Sequence, residues 1–146
     1  MSWLKRMMEK EPPEPTNPIG TIVIGNLEPD LMDGPKEIVR KALKTALFKT
    51  VDLGRGVPAK TFASKAKEVN ADIIAVSVNL TSAKENLQKL ISAIEFEGLM
   101  GKVTVMIGGA AVTKEDADKI CAVYGRAKEE AVAIAKKVIE AKKASK

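Results

Sequence analysis

The stretch VIGNLEPDLMDGPKEIV, Val23 to Val39, decides how the rest of the chain is read. It opens β-branched and apolar, passes through a polar loop rich in turn formers, and closes on a helix start. Thr21 to Gly25 is a first strand, Asn26 to Gly34 a loop, and Pro35 the N1 position of a helix over Lys36 to Leu47. Ile38, Val39, Ala42, Leu43 and Ala46 recur at helical spacing and form its expected inner face.

Working outward, the same alternation repeats. Phe48 to Leu53 reads as a second strand and Ala59 to Val69 as a second helix. Asp72 to Val78 is nearly all apolar, as a strand covered on both faces must be. Thr81 or Ser82 can cap a helix running to about Phe96. Lys102 to Ile107 is a fourth strand, closed by Gly108 and Gly109. Thr113 caps a short helix over Lys114 to Ile120, and Cys121 to Tyr124 supplies a short fifth strand. The last helix runs from Ala127 to about Lys143, with Ala131, Ile134, Ala135, Val138 and Ile139 facing inward.

Strands alternating with helices imply a parallel sheet with right-handed crossovers and helices on both faces. The fold class is α/β: a flavodoxin-like (Rossmann-like) sheet of five strands in the order 2-1-3-4-5. Its switch point lies between the first and third strands, so the loops after strands one, three and four should line the site. Residues 1–18 read as a tail, with an amphipathic helix over Ser2 to Glu9 and then Pro12, Pro13, Pro15 and Pro18. That segment is a docking patch for a partner, a flap on its own domain, or disordered; the domain occupies residues 19–146.

Composition narrows the chemistry. The chain holds no histidine, which excludes His-based triads, His metal sites and a His general base. Cys121 is the single cysteine, expected as a small buried residue rather than a nucleophile, and it fits a reducing cytoplasm. No apolar run approaches a bilayer span, so no membrane partner is expected. The net charge of +5 owes much to Lys136, Lys137, Lys142, Lys143 and Lys146. These suit the solvated, positive end of a C-terminal helix. With aromatics at 3% there is no stacking set for nucleic acid.

Three loop features converge at the switch point: Asn26 to Pro35, Ser77-Val78-Asn79-Leu80-Thr81-Ser82, and Gly108-Gly109-Ala110. Taken singly they are ordinary turn chemistry. Taken together, residues 19 to 138 resemble the cobalamin-binding domain of corrinoid proteins, methionine synthase and mutases. That family reads Asp-x-His-x-x-Gly after the first strand, Ser-x-Leu after the third and Gly-Gly after the fourth. Here DLMDGPKEIV places Asp30 at the family Asp, Met32 at the His and Pro35 at the Gly. Ser77 matches the Ser, Asn79 replaces the Leu, and Gly108 and Gly109 match the glycines. VDLGRGVP, NADIIAVS and VMIGGAAVT look alike too, while Tyr124-Gly125 stands where the family often reads Gly-Tyr.

The resemblance implies a cobalamin or another corrinoid as cofactor, its nucleotide tail threaded past the paired glycines. The implied cofactor-binding set is Asp30, Met32, Asp33, Gly34, Ser77, Asn79, Thr81, Gly108, Gly109, Ala110, Tyr124 and Gly125. Met32 is the implied metal residue. Either its thioether ligates cobalt weakly, or the corrinoid binds with no lower protein ligand or with its own base attached, or the domain has left corrinoid behind. A bulky residue at Gly108 or Gly109 is expected to block the tail with the fold intact. The implied function is a carrier that presents the cofactor to a methyltransferase or a corrinoid-reducing protein, in the cytoplasm, without turnover of its own. The alternative is a diverged interaction or regulatory subunit; a flavin or nucleotide enzyme ranks last. Only residues 1–18 precede the first strand, so a cap over the corrin is expected from that tail, a second copy or a partner.

Overall fold

A computed structural model describes residues 10–145. The expected helix over Ser2 to Glu9 lies outside those residues. Five parallel strands form one sheet in the order β2-β1-β3-β4-β5. They are β1 (Thr21–Asn26), β2 (Lys49–Asp52), β3 (Ile73–Ser77), β4 (Thr104–Gly108) and β5 (Val123–Tyr124). The helices are α1 (Asp33–Thr45), α2 (Ala59–Val69), α3 (Thr81–Lys84), α4 (Leu87–Phe96), α5 (Lys114–Lys119) and α6 (Lys128–Ala144). The sheet order is the one the alternation predicted.

Alternating side chains sort the core into two layers. Val23, Ile74, Val76, Val105 and Ile107 pack beneath α2 and α4 with Phe62, Leu90 and Ile94. Ile22, Ile24, Ile73, Ala75 and Met106 pack beneath α1 and α6 with Leu43, Ala135 and Ile139. β3 is buried at every position, as its unbroken apolar run required.

Local expectations shift in three places. The helix after the first loop starts at Asp33, so Pro35 is its third residue rather than N1. Thr81 and Ser82 cap nothing: Leu80 holds the N-cap without a side-chain bond, and the helix breaks at Glu85 and Asn86. Cys121 is exposed, with φ of 58°, because it follows the C-cap of α5, where the chain reverses. Thr113 does cap α5, in a reciprocal box with Asp116.

The largest surprise is on α1. Ile38, placed on the inner face by periodicity, is 57% exposed, while Lys36, Arg40 and Lys44 are buried. Their spacing of four puts the cations in one stripe. Residues 10–18 cross that stripe as a strap. Glu11 accepts from Arg40 at 2.7 and 2.6 Å and from Lys44 at 2.6 Å, and Glu14 pairs with Lys44 at 2.8 Å. Glu37 and Asp52 complete the cluster through Arg40 and Lys36. Residues 10–18 thus lie on the domain, while the amphipathic stretch on which the docking reading rests is outside the described residues.

The Arg40 guanidinium, then the Lys44 ammonium, hold the Glu11 carboxyl down at about 2 from an ordinary 4.5. Arg40 likewise holds Glu37 at about 2. Both folded values lie below the unfolded ones. Their contribution is therefore whole above pH 4.5 and lost as pH falls towards 2. An acid titration following the Arg40 Nη–H resonances, which face Glu11, should show the strap releasing across that window, with a smaller movement in Glu11→Gln. A resonance that stays fixed in the wild type would contradict this.

Candidate functional site

The site forms where the α1/α6 face of the sheet runs out of side chains. Ile24, Ala75 and Met106 are register partners and form one row across β1, β3 and β4. The next row on that face is Asn26, Ser77 and Gly108. Ala75, Ser77 and Gly108 are too small to reach the helices above them. A cavity of about 700 Å³ opens there, bounded by Pro35 and Val39 of α1, by Gly125 to Ala131 at the start of α6, and by the row beneath.

Its walls are backbone by necessity. A Cβ on Gly108 would sit 2.6 Å from the Gly125 carbonyl oxygen. One on Gly109, at φ of +120°, would sit 2.3 Å from the Val78 carbonyl oxygen. Two hydrogen bonds hold this approach: Val78 N–H donates to Gly108 O at 2.8 Å, and Ala111 N–H to Val78 O at 3.1 Å. The expectation that bulk at either glycine would spare the fold is therefore corrected, since the obstacle is main chain, which cannot swing aside.

Beside the cavity the loop after β1 is tied by one buried carboxylate. Asp30 is fully buried. Its Oδ2 accepts from Asn79 N at 2.8 Å, Asn79 Nδ2 at 3.0 Å and Asn26 Nδ2 at 3.3 Å. Its Oδ1 accepts from Met32 N at 2.9 Å. Asn79 reaches further: its Oδ1 accepts from Ala110 N at 3.0 Å, and its Nδ2 lies 3.1 Å from Ser77 Oγ. A single amide thus joins the loops after β1, β3 and β4. The Met32 carbonyl accepts from Asn26 Nδ2 at 3.0 Å, so the backbone of Met32 is pinned on both sides while its side chain is 54% exposed. Asn26 Oδ1 is buried with no hydrogen-bond partner among the described residues.

Of the residues singled out from sequence, Ser77, Asn79, Gly108, Gly109, Ala110, Tyr124 and Gly125 line the cavity. Asp30, Met32, Asp33, Gly34 and Thr81 do not. Asp30 stands behind it as the loop's anchor, Asp33 and Gly34 open α1, and Thr81 opens α3. Sequence reasoning missed Asn26, the second amide on Asp30, and the floor of Ile24, Ala75 and Met106. Parallel register and period-two alternation were the signals for that floor. Among the described residues no group of three or more His, Cys, Asp or Glu side chains is placed to hold a metal ion. No helix among them is long and apolar enough to cross a membrane.

The chain can be set beside known proteins on this geometry. A trimethylamine corrinoid protein of Methanosarcina mazei is 46% identical over 123 residues, covering 84% of this chain and 56% of that protein. A dimethylamine corrinoid protein of Methanosarcina barkeri is 44% identical over 122 residues, covering 83% and 57%. The chain thus spans less than two thirds of these relatives. Among solved structures, a cobalamin-binding protein from Desulfitobacterium hafniense superposes with a TM-score of 0.78 at 32% identity, covering 82% of this chain and 58% of that one. A chain of the methanol:cobalamin methyltransferase complex of Methanosarcina barkeri gives 0.80 at 26% identity, covering 85% and 48%. The family model described as the B12 binding domain matches residues 20–135, and the chain belongs to that family.

Proposed function

We propose that this chain carries a corrinoid and presents it to a methyltransferase or a corrinoid-reducing protein, without turning over substrate alone. The observation that carries the reading is the open cavity beside Gly108 and Gly109, where main chain packs too closely for any Cβ. The nucleotide tail of a cobalamin suits that cavity, with an apolar floor of Ile24, Ala75 and Met106 and the hydroxyl of Ser77 as a polar contact. Tyr124, Gly125 and Ala110 complete its wall, and the Asp30–Asn79 network fixes the loop bearing Met32. A bound corrinoid supplies a cobalt that accepts and gives up a methyl group; the protein supplies position and surroundings. The relatives named as trimethylamine and dimethylamine corrinoid proteins support methyl transfer as the setting, and the single cysteine suits a reducing cytoplasm.

The reading is tested by mixing the full chain with hydroxocobalamin and passing it through gel filtration. Coloured protein with a shifted visible spectrum is the expected result. Protein that elutes colourless overturns the proposal.

A further inference from the structure

The cavity accounts for a tail, and the loop beside it bears on the metal. We infer that a corrinoid held by this chain has no nitrogen beneath its cobalt, from the described residues or from its own base, and that the side chain offered there is the thioether of Met32. The inference rests on the carrier reading and concerns how that same site treats the metal.

Three observations carry it. The chain has no imidazole to give, since it contains no histidine at any position. The other nitrogen-bearing side chains of the loop and of the start of α1 are already engaged. Lys36 is 3% exposed and bound to Asp52 at 2.8 Å and to Glu37 at 3.1 Å. The amides of Asn26 and Asn79 donate to Asp30, and a neutral amide nitrogen is no metal donor.

The third observation is the state of Asp30. A carboxylate beneath a metal-bound ring serves by accepting that ring's second N–H, which fixes its orientation and raises its basicity. Asp30 is already committed to the loop and presents no exposed oxygen. Three donors crowd Oδ2, the fourth on Oδ1 is the backbone N–H of Met32 itself, and the group is closed to solvent. The carboxylate fixes the main chain of residue 32 rather than a ring. What it holds at the rim is a half-exposed methionine whose sulfur is a soft, uncharged, weak donor. With its nucleotide tail in the cavity, as the carrier reading has it, the corrinoid's own base would not fill the gap.

The measurement is electron paramagnetic resonance of the full chain loaded with cobalamin, freed of excess by gel filtration and reduced to Co(II). Free cobalamin with its base attached shows nitrogen splitting on the cobalt lines. The loaded wild type is expected to show none, and Met32→Ala to stay free of it while its visible bands move. Met32→His is expected to gain the splitting. Nitrogen splitting in the wild type overturns the inference while leaving the carrier reading in place. So does a loaded Met32→His without splitting, or Met32→Ala with unmoved bands, because residue 32 is then not beneath the metal. Should Met32→His lose its far-ultraviolet dichroism, the wild type and Met32→Ala decide between them. If the wild type retains no corrinoid, the carrier reading falls and takes this inference with it.

Discussion

Replacing Asp30 by alanine should destabilise the chain by about 3–5 kcal/mol, a large share of the stability of a domain this size. The residue is fully buried and takes four hydrogen bonds, from Asn79 N, Asn79 Nδ2, Asn26 Nδ2 and Met32 N. Its own main chain adds two more, Asp30 N–H to Leu27 O and Gly56 N–H to Asp30 O, both at 2.8 Å, which the substitution keeps. Truncation therefore strips acceptors from buried donors without freeing the loop to turn them to water. Leaving a buried donor unpaired costs more than the bond itself contributed. Asn79→Ala should cost less, because the carboxylate keeps Asn79 N, Asn26 and Met32, although the link to Ala110 is lost. Denaturant melts of both variants measure the difference. A loss below about 1 kcal/mol for Asp30→Ala would show that the network does not hold the loop.

Gly109→Ala should be comparably damaging, at about 2–4 kcal/mol, for a reason unrelated to hydrogen bonding. The backbone at φ of +120° lies where side-chain-bearing residues are strained, and the new methyl would meet Val78 carbonyl oxygen at 2.3 Å. Relief requires β3 and β4 to part beyond their last paired residues, Ser77 and Gly108, at the mouth of the cavity. Gly34→Ala is the contrast. Gly34 is the second residue of α1, with open space beyond its chain neighbours, but it precedes Pro35, whose ring disfavours helical backbone for a residue with a Cβ, so alanine there should shift stability by less than about 1 kcal/mol. Thermal melts should show a large fall for Gly109→Ala and only a small shift for Gly34→Ala. Equal shifts would mean that the close approach at Gly109 can relax.

Legibility from sequence followed the range of the interaction. Strand order was readable because the β-branched runs at Thr21 to Gly25 and Asp72 to Val78 alternate with helical spacing, a local signal. Gly108-Gly109 was readable only together with the loops after the first and third strands, since alone it is an ordinary tight turn. The burial of Lys36, Arg40 and Lys44 was not. Periodicity assigns a row of cations to solvent, and Glu11 meets Arg40 and Lys44 from 29 and 33 residues away. Asp30 was picked out as a loop residue, yet its principal partner Asn79 lies 49 positions on, on another strand's loop. Pro35 misplaced the helix start by two residues, because Asp33 and Gly34 already lie in the first turn. The cavity floor needed register, which aligns Ile24 with Ala75 and Ala75 with Met106 only once the strands are paired.

The central claim is that the cavity between the sheet and helices α1 and α6 receives the nucleotide tail of a corrinoid. Equilibrium dialysis of the full chain against cobalamin and against cobinamide, which has the corrin ring without the nucleotide, tests it most directly. Burying the tail against the floor of Ile24, Ala75 and Met106 should make cobalamin bind at least about tenfold more tightly. Equal affinities for the two would contradict the account, since the ring would then be held without the cavity.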